Sequence, residues 1–153
     1  MELFLQLWTA APDLKIRLLV LALCAQMMIS AVAYIRMSRA RVGAHKEGRI
    51  SPDTYKAVGH SEPEDLRVYT RAVANQFEAP VMFYAVVLAG LAIGVSSWLT
   101  VILAFLYVVF RWVHLNEMTR ENQVFKRRKI FIQSIRVLLV MMAELLVSTF
   151  FFA

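Results

Sequence analysis

Three polar side chains interrupt an otherwise apolar stretch: Arg71, Asn75 and Glu78, spaced i, i+4 and i+7. On a helix this spacing puts them on one face, with Arg67 one turn further out. A guanidinium fork suits a carboxylate, an amide suits a peptide group, and a carboxylate suits an ammonium. Arg111 and His114, at i and i+3, sit at a similar distance along the next apolar run, and Arg136 lies in the last one. Together these groups could hold a small zwitterion or anion. An architectural alternative stands beside this one. In it, Glu78 pairs with Arg111 or Arg71 only to fix helix register, and His114 is a satisfied bundle histidine.

The elements that must position these groups follow from composition. Of 153 residues, 59% are hydrophobic and 18% charged, with mean hydropathy +0.58. Ordinary soluble domains run near ~45–50% apolar and ~25% charged. This excludes a typical cytosolic enzyme and a disordered chain. The single cysteine, Cys24, excludes an internal disulfide scaffold or a paired-cysteine metal site. His45, His60 and His114 are too scattered to suggest a metal. The net charge of +6 resides in residues that flank apolar runs. Lipid headgroups or an acidic ligand therefore fit it better than nucleic acid.

Four spans account for the hydropathy. Ile16 to Ile35 is long enough to cross a bilayer, with a secretory signal as the alternative. Ala79 to Phe110 holds 32 residues without a formal charge, about 48 Å of helix and too long for one crossing. The turn formers around Gly94 split it into two short pieces. Each must extend past charged residues to span, and this places Asn75, Glu78, Arg111 and His114 at membrane depth. The last span carries Arg136 and Glu144, the latter taken as structural. The sequence thus predicts an all-α integral membrane protein, one domain over 1–153, with helices at about 14–37, 68–94, 98–117 and 130–153. Pro80 predicts a bend near the polar cluster. Residues 1–13 are apolar enough for an interfacial segment, Cys24 reads as packing, and Lys126 to Lys129 read as a headgroup anchor.

Basic residues predict the orientation. Eight lie from Arg36 to Arg71 and seven from Arg111 to Arg136, against Lys15 and Arg17 on the other side. Both termini should face away from the cytoplasm.

The run from Arg67 through Arg71, Asn75 and Glu78 to Pro80 and Tyr84 resembles the second-helix signature of the MAPEG family, membrane-associated proteins in eicosanoid and glutathione metabolism. Its form from Asn75 to Tyr84 is most similar to a bacterial branch. The resemblance covers nearly the whole chain and implies a homotrimer of four-helix bundles in a bacterial inner membrane. It implies glutathione as co-substrate between neighbouring subunits, held by Arg71, Asn75, Glu78, Arg111 and His114. Arg136 matches the fourth-helix arginine that stabilises the thiolate, with Arg111 beside it as a second catalytic candidate. Arg36 or Arg39 stands near a further family arginine. Met118 occupies the place of a tyrosine in eukaryotic members. The function implied is a glutathione-dependent transferase or peroxidase acting on lipophilic electrophiles or hydroperoxides. The alternatives are a non-catalytic protein that binds a lipid or a partner, and a membrane subunit whose polar cluster is purely architectural.

Overall fold

The computed structural model describes residues 14–56 and 62–151. The apolar 1–13 segment and His60 lie outside them. The elements are α1 (Leu14–Lys46), a single 3₁₀ turn (Pro52–Tyr55), α2 (Glu64–Ala74), α3 (Ala79–Ala92), α4 (Trp98–Thr119) and α5 (Val124–Phe151). There is no strand among the described residues. Four spans are long and apolar enough to cross a membrane, with α2 and α3 counting as one from Glu64 to Ala92.

Three boundaries differ from expectation. Helix α1 runs to Lys46 rather than ending near residue 37, because charge does not stop a helix that has no proline, and the single Gly43 inside it is tolerated. It ends before Gly48, whose φ of +70° suits a residue without Cβ. Helix α5 starts at Val124 rather than near 130, drawing the basic run Lys126 to Lys129 into its first turns. The second span is broken, not merely bent, between α2 and α3. Pro80 explains the position: its ring clashes with the carbonyl four residues earlier and it has no N–H to give. In the first turn of α3 that missing donor costs nothing.

Helix α4 packs against α1, α2 and α5. A main core joins Leu19, Ala22 and Leu23 of α1 to Phe83 and Val87 of α3, with Tyr107 of α4 and Leu138 and Met141 of α5. Phe83 stacks on Tyr107 at 4.5 Å between ring centroids. Because α1 supplies core residues, it is a working part of the bundle. A second cluster, Ile29, Ala33, Ala72, Val73, Leu115 and Met118, closes the end that carries the polar residues. Large apolar side chains such as Met27, Leu88, Ile102 and Leu139 point outward. In water that exposure would be a liability, whereas in a bilayer it is what the solvent requires. Cys24 is also on the outer surface rather than packed inside.

Both ends of the bundle are tied by polar contacts. At one, Ser97 caps α4, and the Glu144 carboxylate accepts from Ser97 Oγ at 2.6 Å and Thr100 Oγ1 at 2.8 Å. An anion at a helix N-terminus is favourable, so Glu144 joins α5 to the start of α4. Gly90 permits the preceding turn, since a Cβ there would meet the Val95 carbonyl at 3.1 Å. At the other end, Glu62 accepts from Arg41 at 3.1 Å, Tyr55 at 2.9 Å and Thr70 at 2.6 Å. This cluster pins the first loop between α1 and α2. Burial would raise the Glu62 carboxyl, but the bonds from Thr70, Tyr55 and Arg41 outweigh it and hold it below its ordinary value.

Candidate functional site

The break between α2 and α3 creates the site. Asn75 closes the last turn of α2 through its N–H to the Arg71 carbonyl, and Glu78 precedes α3 with φ −99° and ψ −101°. In an unbroken helix Arg71, Asn75 and Glu78 would share one stripe. Here they do not share a helix, yet all three line one cavity of about 480 Å³. Helix α4 contributes His114 and Met118 to it, and α5 contributes Val124, Arg127, Arg128 and Phe131.

The lining has a distinct charge pattern. Three guanidiniums, Arg71, Arg127 and Arg128, face one carboxylate, Glu78, and one primary amide, Asn75. Glu78 makes no ion pair within 4.0 Å among the described residues, so the direct contact with Arg111 or Arg71 expected of a register-fixing pair is not formed. Asn75 donates to the Arg71 carbonyl at 3.0 Å and lies 3.9 Å from the Met118 sulfur. The buried His114 ring tilts against Phe131 at 5.6 Å, forming an aromatic wall. Arg127 donates to the Asn122 side chain, and Asn122 holds the left-handed φ of 51° that ends the connection from α4. Arg128 has no hydrogen bond or ion pair among the described residues and is left with its charge towards the cavity.

Two sequence-predicted residues are placed elsewhere. Arg111 is fully buried and does not line the cavity. It sits one helical turn beneath His114, and its Nη2 donates to the Asn75 carbonyl at 2.8 Å. Arg136 also does not line the cavity and is exposed. The reason is helical phase: at about 100° per residue, Arg136 points roughly 130° away from the stripe of Val124, Arg127, Arg128 and Phe131. Arg127 and Arg128 take the position expected of it. The signal that could have found them is the charge-free start at Val124, which lets a helix begin there and turns the basic run from an anchor into a lining. Arg36 is held by Thr119 and Asn116, each at 2.7 Å, and stacks over Trp112 at 5.5 Å. With Arg39 and Arg120 it borders a separate concavity of about 420 Å³.

Chemically, the main cavity can bind a ligand carrying more negative than positive groups, and its cations can hold an anionic nucleophile. No cluster of histidine, cysteine, aspartate or glutamate among the described residues could hold a metal. Comparison with known proteins gives one match: the model of the MAPEG family matches residues 17–147. No curated protein and no solved structure matches the chain.

Proposed function

This chain belongs to the MAPEG family, and from that premise we propose that it binds glutathione in the cavity between α2, α4 and α5 and directs the thiol at lipophilic electrophiles or hydroperoxides. The family and the four apolar spans make it an integral membrane protein whose function is related to glutathione or eicosanoids. The observation that carries the finer proposal is the charge pattern of the cavity. Glutathione has two carboxylates and one ammonium, and the lining offers three arginines and one glutamate, with Asn75 for a peptide group. The volume of about 480 Å³ lies within the ~300–1,000 Å³ of small-molecule sites.

Bound there, glutathione would supply the nucleophilic sulfur. Arg71, Arg127 and Arg128 would neutralise its carboxylates and favour the ionised thiol, because a nearby cation lowers a thiol pKa. Glu78 would hold the ammonium. Met118 and Phe131 would keep water from one side, and the outward apolar faces would deliver a lipophilic substrate from the bilayer. The cavity is open along one flank, and a neighbouring copy in a homotrimer would close it. A bacterial inner membrane with both termini outside the cytoplasm completes the proposal, the basic residues being gathered at the end that holds the cavity.

One observation favours binding without turnover as a second possibility: the lining contains no hydroxyl side chain, with Met118 in the place of a tyrosine. The test is a thermal melt of the purified protein in detergent with and without glutathione, alongside a conjugation assay and native mass spectrometry. Glutathione should raise the wild-type melting temperature, and Glu78→Gln should weaken binding by about 1–3 kcal/mol, the range for a charged hydrogen-bond partner. A stabilised protein with no turnover supports the second possibility. No shift at saturating glutathione refutes both, and a monomer that binds with full affinity refutes the shared site.

A further inference from the structure

Arg111 is the largest fully buried side chain of the bundle and has no carboxylate within 4.0 Å among the described residues. Its one hydrogen bond among the described residues goes from Nη2 to the Asn75 carbonyl at 2.8 Å. Nε and Nη1 are buried without a partner. A guanidinium so incompletely satisfied is not there for stability, since an apolar side chain of similar size would avoid the desolvation cost altogether. What it touches is informative. In an unbroken helix the Asn75 carbonyl would accept from the N–H of residue 79. The break removes that donor, and no backbone N–H among the described residues takes its place.

The next residue is pinned as well. Gln76 is buried, donates to the Ala72 carbonyl at 3.2 Å and accepts from Gln26 of α1 at 3.3 Å. The break is therefore clamped from α4 through Arg111 and from α1 through Gln26. The residues on either side of this clamp, Asn75 and Glu78, are those presented to the cavity.

We propose that Arg111 is a positioning residue: by holding the Asn75 carbonyl it fixes the Asn75–Glu78 break in the shape that aims Asn75 and Glu78 at the ligand, without touching the ligand itself. Its consequence for binding rests on the glutathione proposal, whereas its effect on the backbone does not. The experiment pairs amide hydrogen exchange of the ligand-free protein with glutathione affinity and with the pH dependence of bound-thiolate absorbance. Arg111→Met and Arg111→Lys are compared with wild type, each in detergent as the intact protein. Arg111→Met should speed exchange at Gln76 and Phe77, whose N–H groups bond the Val73 and Ala74 carbonyls, at least tenfold and weaken glutathione at least tenfold, while leaving the pKa of the thiol that still binds unchanged. Arg111→Lys, which keeps a donor, should stay within about threefold of wild type in both readouts.

Unchanged exchange in Arg111→Met overturns the positioning role, whatever glutathione does. Faster exchange with unchanged affinity overturns the link to the ligand. A raised thiol pKa in Arg111→Lys with wild-type exchange overturns the claim that Arg111 stands apart from the ligand. If Arg111→Met does not fold, Arg111→Lys and Gln26→Leu decide: the second should loosen the same two amides, and rigid amides there sink the clamp. If wild type binds no glutathione, the glutathione proposal fails and the exchange result still decides the positioning role.

Discussion

Replacing Arg128 should separate the cavity arginines from Arg136 as the group that ionises a bound thiol. Arg128 lines the cavity and has no hydrogen bond or ion pair among the described residues, whereas Arg127 is engaged with Asn122. Arg136 does not line the cavity, its direction on α5 lying about 130° from the middle of the stripe that does. A cation within ~4–6 Å of an ionisable group shifts its pKa by about 1–3 units. The cavity is open, so solvent screening places the shift at the lower end, about one unit or ~1.4 kcal/mol. Arg128→Gln should therefore raise the pKa of bound glutathione by about one unit and cut the thiolate fraction at neutral pH by up to about tenfold. Arg127→Gln should do less, because part of its role is to hold Asn122. Arg136→Gln should leave the thiol unmoved. The assay is ultraviolet absorbance of the bound thiolate across pH, with melting curves to confirm the fold. If Arg136→Gln raises the thiol pKa while Arg128→Gln does not, the phase argument for α5 is wrong.

Three further outcomes follow from the scaffold. Glu144→Leu should lower stability by about 2–4 kcal/mol, since two hydroxyls that now bond a carboxylate are left to each other; a melting temperature within a degree of wild type would show that the contact is idle. Because the bonds from Thr70, Tyr55 and Arg41 hold the Glu62 carboxyl below its ordinary value in the folded protein, its contribution is present above the ordinary carboxylate range and disappears as pH falls through the depressed value. Exchange protection over residues 62–70, corrected for intrinsic rates, should drop as pH falls below the ordinary carboxylate range, and Glu62→Gln should lack this dependence. Cysteines introduced into a Cys24→Ser background should label from the outside when placed at Val95 and from the cytoplasm when placed at Arg120. The reverse pattern would overturn the orientation inferred from the basic residues.

Much of the bundle was legible from run lengths alone. The 32 uncharged residues ending at Phe110 could only be two crossings divided near Gly94, and that is where the chain turns. Arg71, Asn75, Glu78 and His114 could be nominated because polar groups at that depth are costly, and they do meet at one cavity. What could not be read was the outcome of a local conflict. Pro80 announces a bend, but whether the helix curves or breaks depends on whether the freed carbonyls find another donor. For Asn75 that donor is Arg111, 36 positions away in the chain. The start of α5 was obscured for a related reason. Four consecutive cations look like an anchor at a bilayer edge, and only Glu117 taking Lys126 at 2.7 Å and Asn122 taking Arg127 reveal that the run is folded back onto α4.

The break also shows how the bundle tolerates its polar groups. Each ionisable residue at a helix centre costs about 2.5–3.5 kcal/mol on insertion scales, and less near the interface. Arg71, Glu78, Arg127 and Arg128 reduce that cost by sharing an open cavity at the end of the bundle where the other cations gather. Arg111 is sealed from solvent, one turn deeper than His114. It is tolerated because the break supplies a carbonyl with no other partner, and the break exists because Pro80 cannot continue the helix. A proline, an orphaned carbonyl and a buried arginine are thus one device, and Asn75 and Glu78 stand where that device puts them.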